Sequence, residues 1–240
     1  MQQKKLEVCL SPALLHLYDI KDSLVVVIDI FRATSSMCYG IANGAEAIIP
    51  VATVDACRSY EHTDYLLAAE RNGEVVEGFD FGNSPFSYTA EKVSGKTVVV
   101  TTTNGTHAIN KSREARKVLI GSFLNLSALS HWLKNQPHDV LLLCAAWKNK
   151  VNLEDTLFAG AVAYQLQNEG YKFDDSAILS ADLYQMAQGN LDEFLKKTSH
   201  SERLKELKIE ADIAFCLQID LIDAIPVLDG DRLVKLVLSK

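Results

Sequence analysis

The sequence has no apolar run that approaches the ~18 residues needed to cross a membrane as a helix. It is also short of positive charge, because 24 lysines and arginines stand against 31 aspartates and glutamates and form no basic cluster. These absences disfavour a membrane protein and a broad nucleic-acid-binding surface. The N-terminus carries no charged-then-apolar leader, so we expect a cytoplasmic protein.

Cysteines number five, are widely spaced, and form no C-x-x-C motif. This spacing predicts reduced thiols, with neither a disulfide framework nor a zinc site. Cys144 follows an apolar run and is either a nucleophile or a buried thiol, but the sequence places no histidine near it.

Motifs of several large enzyme classes are missing as well. The sequence contains no G-x-x-x-x-G-K-[ST] loop, no G-x-G-x-x-G after a strand, no G-x-S-x-G elbow and no D-x-D-x-T arrangement. ATP hydrolysis, dinucleotide redox chemistry and serine-hydrolase chemistry are therefore disfavoured.

The segments that are present alternate between strand-like and helix-like patterns. Apolar runs of strand length lie at 5–10, 24–30, 45–52, 65–69, 96–100, 118–120, 139–144, 213–217, 225–228 and 233–238. Helix-like segments lie between most of them, notably at 34–42, 55–62, 107–116, 152–169 and 175–188. This alternation predicts a three-layer α/β/α fold with a mainly parallel, mixed sheet. The length suits a single domain over residues 1–240.

The run from Leu24 to Ile30 contains four consecutive β-branched residues and reads as a strand buried on both faces. Asp29 lies near the end of this run, and Arg32 and Thr34 follow it directly. Ligands of open α/β sheets bind beyond the carboxyl ends of the strands, so these side chains are expected to face a ligand. A carboxylate can bind a hard cation, and a guanidinium can grip a phosphate with two parallel hydrogen bonds.

Two further strand ends have the same character. The run Val98–Val100 ends in Thr101-Thr102-Thr103-Asn104-Gly105-Thr106, and the run Val118–Ile120 ends in Gly121-Ser122. Helix N-termini of this kind bind anions, and Gly105 would let the backbone approach a ligand closely. The alternative is that these residues merely cap helices. Three such ends in one chain favour an anion site.

Carboxylates that could share a magnesium ion with Asp29 lie at two other strand ends. Glu70 follows the run 65–69, and Glu154 and Asp155 open the helix after the run 139–144. Mg²⁺ takes oxygen ligands and commonly uses one or two carboxylates together with water and substrate phosphate. The same two acidic residues would also be favourable at a helix N-terminus without any metal, and both interpretations stay open.

Several blocks together closely resemble the 2-phosphosulfolactate phosphatase (ComB) family. They are VVVIDIFRATSS, ANGAEAIIPVAT, GFDFGNSP, VVVTTTNGT, LIGSFLN and NLEDTLFAGA, followed by DIAFCLQID and IPVL, and they run in order from about Val25 to Leu228. The resemblance implies a Mg²⁺-dependent hydrolase that converts (2R)-2-phospho-3-sulfolactate to 3-sulfolactate and phosphate, in the setting of coenzyme M biosynthesis. It also implies a three-layer α/β/α fold.

Carried over block by block, the resemblance implies three groups of site residues. The catalytic group is Asp29, Arg32 and Asp155, and the metal ligands are Asp29, Glu70 and Glu154. The substrate-binding group is Thr34, Asn83, Ser84, Thr102, Thr103, Asn104, Gly105 and Ser122. One departure from the family pattern is the segment 145–150, which reads AAWKNK here and is richer in glycine in the family. That segment is expected to contact the far end of the substrate.

Two mechanisms and three functions remain open at this stage. Either a carboxylate such as Asp155 activates water, or Asp29 attacks phosphorus and forms an aspartyl-phosphate. The chain is a phosphatase, a non-catalytic binding module for an anionic metabolite, or a Mg²⁺-dependent phosphotransferase on a related substrate. The expected partner is a small phosphorylated anion, and a homodimer would be ordinary for such a domain.

Overall fold

A computed structural model of the protein describes residues 3–61, 64–71, 74–198 and 209–237. Within these residues, eleven strands form one sheet. They are β1 (Lys5–Cys9), β2 (Leu24–Ile28), β3 (Ala47–Pro50), β4 (Leu66–Arg71), β5 (Glu74–Val75), β6 (Thr97–Thr101), β7 (Lys117–Gly121), β8 (Val140–Cys144), β9 (Lys172–Phe173), β10 (Pro226–Asp229) and β11 (Arg232–Lys235).

The helices of the described residues lie mainly between these strands. They are α1 (Ala33–Ala42), α2 (Val54–Arg58), α3 (Ala90–Val93), α4 (Gly105–Lys111), α5 (Leu126–Lys134), α6 (Leu153–Leu166), α7 (Asp175–Ala187), α8 (Leu191–Leu195) and α9 (Glu210–Cys216). Short 3₁₀ helices occur at Pro12–Leu17, Pro85–Ser87 and Phe123–Asn125. None of the helices described is long and apolar enough to cross a membrane.

The sheet consists of two parallel groups joined by an antiparallel hairpin. Its strand order is β5-β4-β6-β3-β11-β10-β7-β2-β8-β1-β9. Strands β4, β6 and β3 are parallel to one another, and so are β7, β2, β8, β1 and β9. The hairpin β10–β11 pairs antiparallel with β7 on one side and with β3 on the other. The predicted α/β fold with a mainly parallel, mixed sheet is confirmed.

Strands β2, β6 and β8 are buried along their whole length, which explains why they read as continuous apolar runs. One face of the larger parallel group packs against α5, α6 and α7. Its other face packs on α1 and α4, which also contact inward-facing residues of β3 and β6. Helix α1 therefore packs across both groups of strands on this face of the sheet, and eight of its ten residues are buried.

The predicted strand at 213–217 is wrong, because this segment belongs to helix α9. A five-residue apolar run does not distinguish a strand from a buried helical turn. The buried residues Asp212 and Cys216 lie four positions apart, which is the spacing of one helix face. The helix predicted over 107–116 begins earlier, at Gly105, and ends earlier, at Lys111. The helix predicted at 55–62 ends at Arg58, and its last residue lies outside the described part.

Candidate active site

The turn between β2 and α1 fixes the position of Asp29. The Asp29 N–H donates to Thr34 Oγ1 at 3.0 Å, and the Thr34 N–H donates to the Asp29 carbonyl at 2.9 Å. Ser35 Oγ donates to the Ile30 carbonyl at 2.9 Å. Thr34 is fully buried, whereas Asp29 keeps 8% of its surface exposed. Thr34 is therefore a buried neighbour of Asp29, and its hydroxyl stabilises the turn by accepting the Asp29 N–H.

The guanidinium of Arg32 lies between two carboxylates from distant parts of the chain. Its Nη2 donates to Glu70 at the end of β4, and its Nη1 donates to Asp212 of α9. Burial alone would lower the pKa of Arg32, but the charges and hydrogen bonds of these carboxylates outweigh it, so the pKa is raised. Arg32 is thus a buried permanent cation in a double ion pair.

The loop before α3 supports both partners of this arginine. The Asn83 N–H donates to Glu70 Oε2 at 3.3 Å, and Ser84 Oγ donates to Asp212 Oδ1 at 2.9 Å. Ser36 Oγ of α1 donates to the Asn83 carbonyl at 2.8 Å. The irregular GFDFGNSP segment is therefore bound directly to the ion-pair network.

The turn between β6 and α4 lies directly against Asp29. A Cβ atom placed on Gly105 would be 2.9 Å from Asp29 Oδ2 and 2.7 Å from the Cβ of Ala33. The turn is closed by Thr102 and Thr106, whose N–H groups each donate to the hydroxyl of the other at 3.3 and 3.1 Å. Only glycine allows the starts of α1 and α4 to approach this closely.

Asp155, in the first turn of α6, ties two strand ends together. Its Oδ1 accepts the Ile30 N–H at 2.9 Å and its Oδ2 accepts the Ala146 N–H at 3.1 Å. Burial raises the pKa of Asp155 well above its usual value, and the neighbouring charges of Glu154 and Asp29 raise it further. The carboxylates of α6 and β2 therefore act on one another electrostatically.

Glu154 is fully buried next to Asp155, and its Oε1 accepts a hydrogen bond from Asn152 Nδ2 at 2.8 Å. Asn152 Oδ1 is itself buried and has no hydrogen-bond partner among the described residues. A buried carbonyl oxygen without a donor beside carboxylates suits a hard cation, which prefers oxygen ligands.

The described residues contain no group of three histidine, cysteine, aspartate or glutamate side chains arranged to hold a metal ion. Mg²⁺ does not need such a cage, because it usually keeps several waters and takes one or two carboxylates. Asp29, Glu154 and Asn152 Oδ1 are oxygen donors of the kind that this requirement names, and both carboxylates act electrostatically on Asp155. Glu70 fits less well, since its Oε2 is already engaged by Arg32.

The turn between β2 and α1 brings together most of the site residues predicted from the sequence. On the Asp29 side, Thr34 and Gly105 contact Asp29, and Asp155 accepts the Ile30 N–H. On the Arg32 side, the ion-pair network includes Glu70, Asn83 and Ser84. Thr102 contacts Gly105, whereas Thr103 is exposed and Asn104 is half-buried beside it along the chain. Ser122 is fully buried, and its N–H donates to Asn125 Oδ1 at 3.0 Å within its own turn.

Asp212 and the buried Asn152 Oδ1 are the functional candidates that the sequence reasoning missed. The predicted strand begins one residue after Asp212, at 213, and a strand there gives no reason to place Asp212 at the site. One signal was present: an aspartate inside the apolar stretch ADIAFC needs a partner if that stretch is buried.

Comparisons with known proteins agree with this geometry. The family model described as 2-phosphosulpholactate phosphatase matches residues 9–231. A protein of Caldanaerobacter subterraneus is 40% identical over 213 residues, covering 87% of this chain and 88% of its own length. A protein of Thermotoga petrophila is 40% identical over 203 residues, covering 85% and 88%. A protein of Gloeobacter violaceus is 37% identical over 206 residues, covering 84% and 86%.

All three relatives carry the name "Probable 2-phosphosulfolactate phosphatase". The family match covers most of the chain and includes the ends of β2, β4, β6 and β8, where the predicted site residues lie. The resemblance predicted from the sequence blocks is thereby confirmed. The chain belongs to the 2-phosphosulfolactate phosphatase family and is an enzyme of the phosphatase class.

Proposed function

We propose that this protein hydrolyses the phosphate monoester of (2R)-2-phospho-3-sulfolactate, or of a similar small 2-phospho-acid, in a Mg²⁺-dependent reaction. The products are 3-sulfolactate and phosphate, and the family resemblance suggests that the product is used in coenzyme M biosynthesis. The observation that carries the proposal is the turn between β2 and α1, where Gly105 lies directly against Asp29 and Arg32 is fixed between Glu70 and Asp212. A carboxylate and a guanidinium therefore lie on one turn, next to the ends of β4 and β6.

Two parts of the chain, Arg32 and the turn around Gly105, supply hydrogen-bond donors for the phosphate. Arg32 has five N–H donors, and its two ion pairs leave others for phosphoryl oxygens. Helix α4 begins at Gly105, and the first N–H groups of a helix have no intrahelical acceptor, so this turn can add further donors. Fixed donors of this kind stabilise charge that develops in the transition state. When bound by Asp29, Glu154 and Asn152, Mg²⁺ would supply further positive charge for the phosphoryl group.

The role of Asp155 is best explained as holding the Asp29 turn. Both of its oxygens accept backbone N–H groups, from Ile30 and Ala146, and it is fully buried. Its role as an acid or base stays a prediction. Asp29 then remains as the nucleophile, or as the group that orients an attacking water.

The stereochemical course at phosphorus separates these two routes. The substrate is supplied as a chiral phosphorothioate labelled with ¹⁸O and is hydrolysed in ¹⁷O-water. Attack by Asp29 breaks the ester bond, and water then breaks the aspartyl-phosphate at phosphorus, so two inversions give net retention. Direct attack by water gives net inversion, which would exclude the covalent route.

The proposed activity is tested by phosphate release from a panel of small phospho-acids that includes 2-phosphosulfolactate and 2-phospholactate. Each compound is assayed with Mg²⁺ and with EDTA, on the wild type, Asp29→Asn and Asp22→Asn. Asp22 is the matched control because its side chain is 99% exposed. We expect Mg²⁺-dependent release that falls on the order of 10²–10⁴-fold in Asp29→Asn only.

Four outcomes would contradict parts of the proposal. Full activity in Asp29→Asn would remove that residue from the mechanism, and full activity in EDTA would remove the metal. Ligand binding without turnover would favour a binding module, and transfer of phosphate to an acceptor other than water would favour a phosphotransferase.

A further inference from the structure

Arg32 does not present an unpaired positive charge to an anion, because two carboxylates inside the protein already pair with it. Its side chain is 6% exposed, and it forms ion pairs with Glu70 and Asp212, whose side chains are 21% and 9% exposed. A buried arginine with two fixed anchors has little rotational freedom. Each anchor uses a different terminal nitrogen, so together they define the plane of the guanidinium.

Asp212 is itself held in place from two directions. Ser84 Oγ donates to the oxygen of Asp212 that does not face Arg32. One turn further along α9, Phe215 packs between two aromatic rings, with centroid distances of 4.9 Å to Tyr39 and 5.1 Å to Phe86. Residues three apart share a helix face, so docking of Phe215 also presents Asp212 to the site.

We infer that Asp212 is a positioning residue of the phosphatase reaction, which holds the Arg32 guanidinium in the orientation that the transition state requires. The inference rests on the proposed function and adds α9 to the active site. Asp212 touches neither substrate nor reacting atoms, and it acts through Arg32. Its negative charge opposes binding of an anion, so its presence beside Arg32 is explained by geometry rather than by affinity.

Two substitutions separate position from charge. Asp212→Asn removes the charge but keeps an oxygen that can accept from Arg32, whereas Asp212→Ala removes both. Glu210→Gln is the matched control, because Glu210 is an exposed acid on the same helix. For each variant we would measure kcat and KM for phosphate release, the Kd of inorganic phosphate by calorimetry, and the melting temperature.

We expect Asp212→Ala to lower kcat by about 10–100-fold, the cost of a misplaced catalytic group. Asp212→Asn should restore most of kcat. Both variants should bind inorganic phosphate about fivefold more tightly than the wild type, since a nearby negative charge is gone. Glu210→Gln should match the wild type in all measurements.

The inference is overturned if Asp212→Ala keeps the wild-type kcat per folded molecule, even when its melting temperature falls. It is also overturned if Asp212→Asn loses as much activity as Asp212→Ala. If Asp212→Ala does not fold, Ser84→Ala takes its place: a kcat about tenfold lower supports the inference, and an unchanged kcat refutes it.

Failure of the proposed function would look different. In that case the wild type releases no phosphate from any compound, and the calorimetry decides. Tighter phosphate binding in Asp212→Asn than in Glu210→Gln would support an anion site at Arg32 with Asp212 as its partner. Equal affinities, or no phosphate binding by the wild type, would refute it.

Discussion

Gly105→Ala is the substitution for which the structure gives the sharpest expectation. The added methyl group would lie 2.7 Å from the Cβ of Ala33, 2.9 Å from Asp29 Oδ2 and 3.2 Å from Thr102 Oγ1. Carbon atoms in contact normally lie about 3.5–4.0 Å apart, so α1 and α4 must separate by roughly 1 Å. Both helices begin at this contact, and the Asp29 carboxylate lies directly against it.

The expected cost follows from these distances. Overpacking a tight site costs about 1–3 kcal/mol, and the better helix propensity of alanine returns at most ~1 kcal/mol. A net loss of about 1–2 kcal/mol in the free energy of unfolding lowers the melting temperature of a chain of this size by about 2–8 °C. Displacement of Asp29 by about 1 Å should lower kcat on the order of 10²-fold.

Thermal denaturation and phosphate release would be measured on Gly105→Ala and on Gly189→Ala. Gly189 is the matched control, because a Cβ atom there meets nothing within 4 Å. The control should keep the wild-type melting temperature and kcat. Wild-type activity and stability in Gly105→Ala would refute the close approach of the two helices to Asp29.

Two other consequences of the packing can be measured. In Gly160→Ala the new Cβ would overlap the carbonyl oxygen of Ser180 and lie 2.5 Å from its carbon, so α6 and α7 must move apart. We expect a loss of about 3 kcal/mol and a melting temperature about 6–12 °C lower, and a stable variant would contradict the helix contact. All five cysteines are buried and unpaired, and burial raises the pKa of Cys9 and of Cys57 to about 11. A thiol reagent at pH 8 should therefore label the native protein only slowly and the denatured chain at five sites, whereas rapid native labelling would contradict this burial. Because these folded-state pKa values are raised, their contribution to stability is complete below about pH 9 and is lost as the pH rises through about 11, which alkaline unfolding curves would show.

The fold could be predicted from the sequence wherever a strand is buried on both faces. Strand β2 reads as Leu-Val-Val-Val-Ile, and no other element accommodates that run as well. Asp229-Gly230 between the last two apolar runs is a hairpin-type turn sequence, but nothing local indicates that the hairpin β10–β11 inserts between β3 and β7. Strand order depends on contacts between distant segments, and local periodicity does not carry that information.

The residues of the candidate site could also be predicted from the sequence only where they lie next to a recognisable strand. Asp29 and Arg32 were found because they directly follow a recognisable strand, and ligands lie beyond such ends. Asp212 and the buried oxygen of Asn152 were missed, because their importance comes from neighbours more than 100 positions away or from the absence of a donor in three dimensions. A partner of this kind is visible only after the chain has folded.

The charge balance of the site links the metal proposal to the arginine proposal. Arg32 is paired with Glu70 and Asp212, and Glu154 and Asp155 bring further carboxylates next to Asp29. This arrangement repels a phosphate ester unless positive charge accompanies it. A divalent cation held by Asp29 and Glu154 would offset the negative charge of the carboxylates. The rigidly held Arg32 would then orient the phosphoryl group through hydrogen bonds rather than add net positive charge to the site. If the reaction proceeds without Mg²⁺, the attraction for the anion must come from Arg32 itself, and removing the charge of Asp212 should then raise the activity.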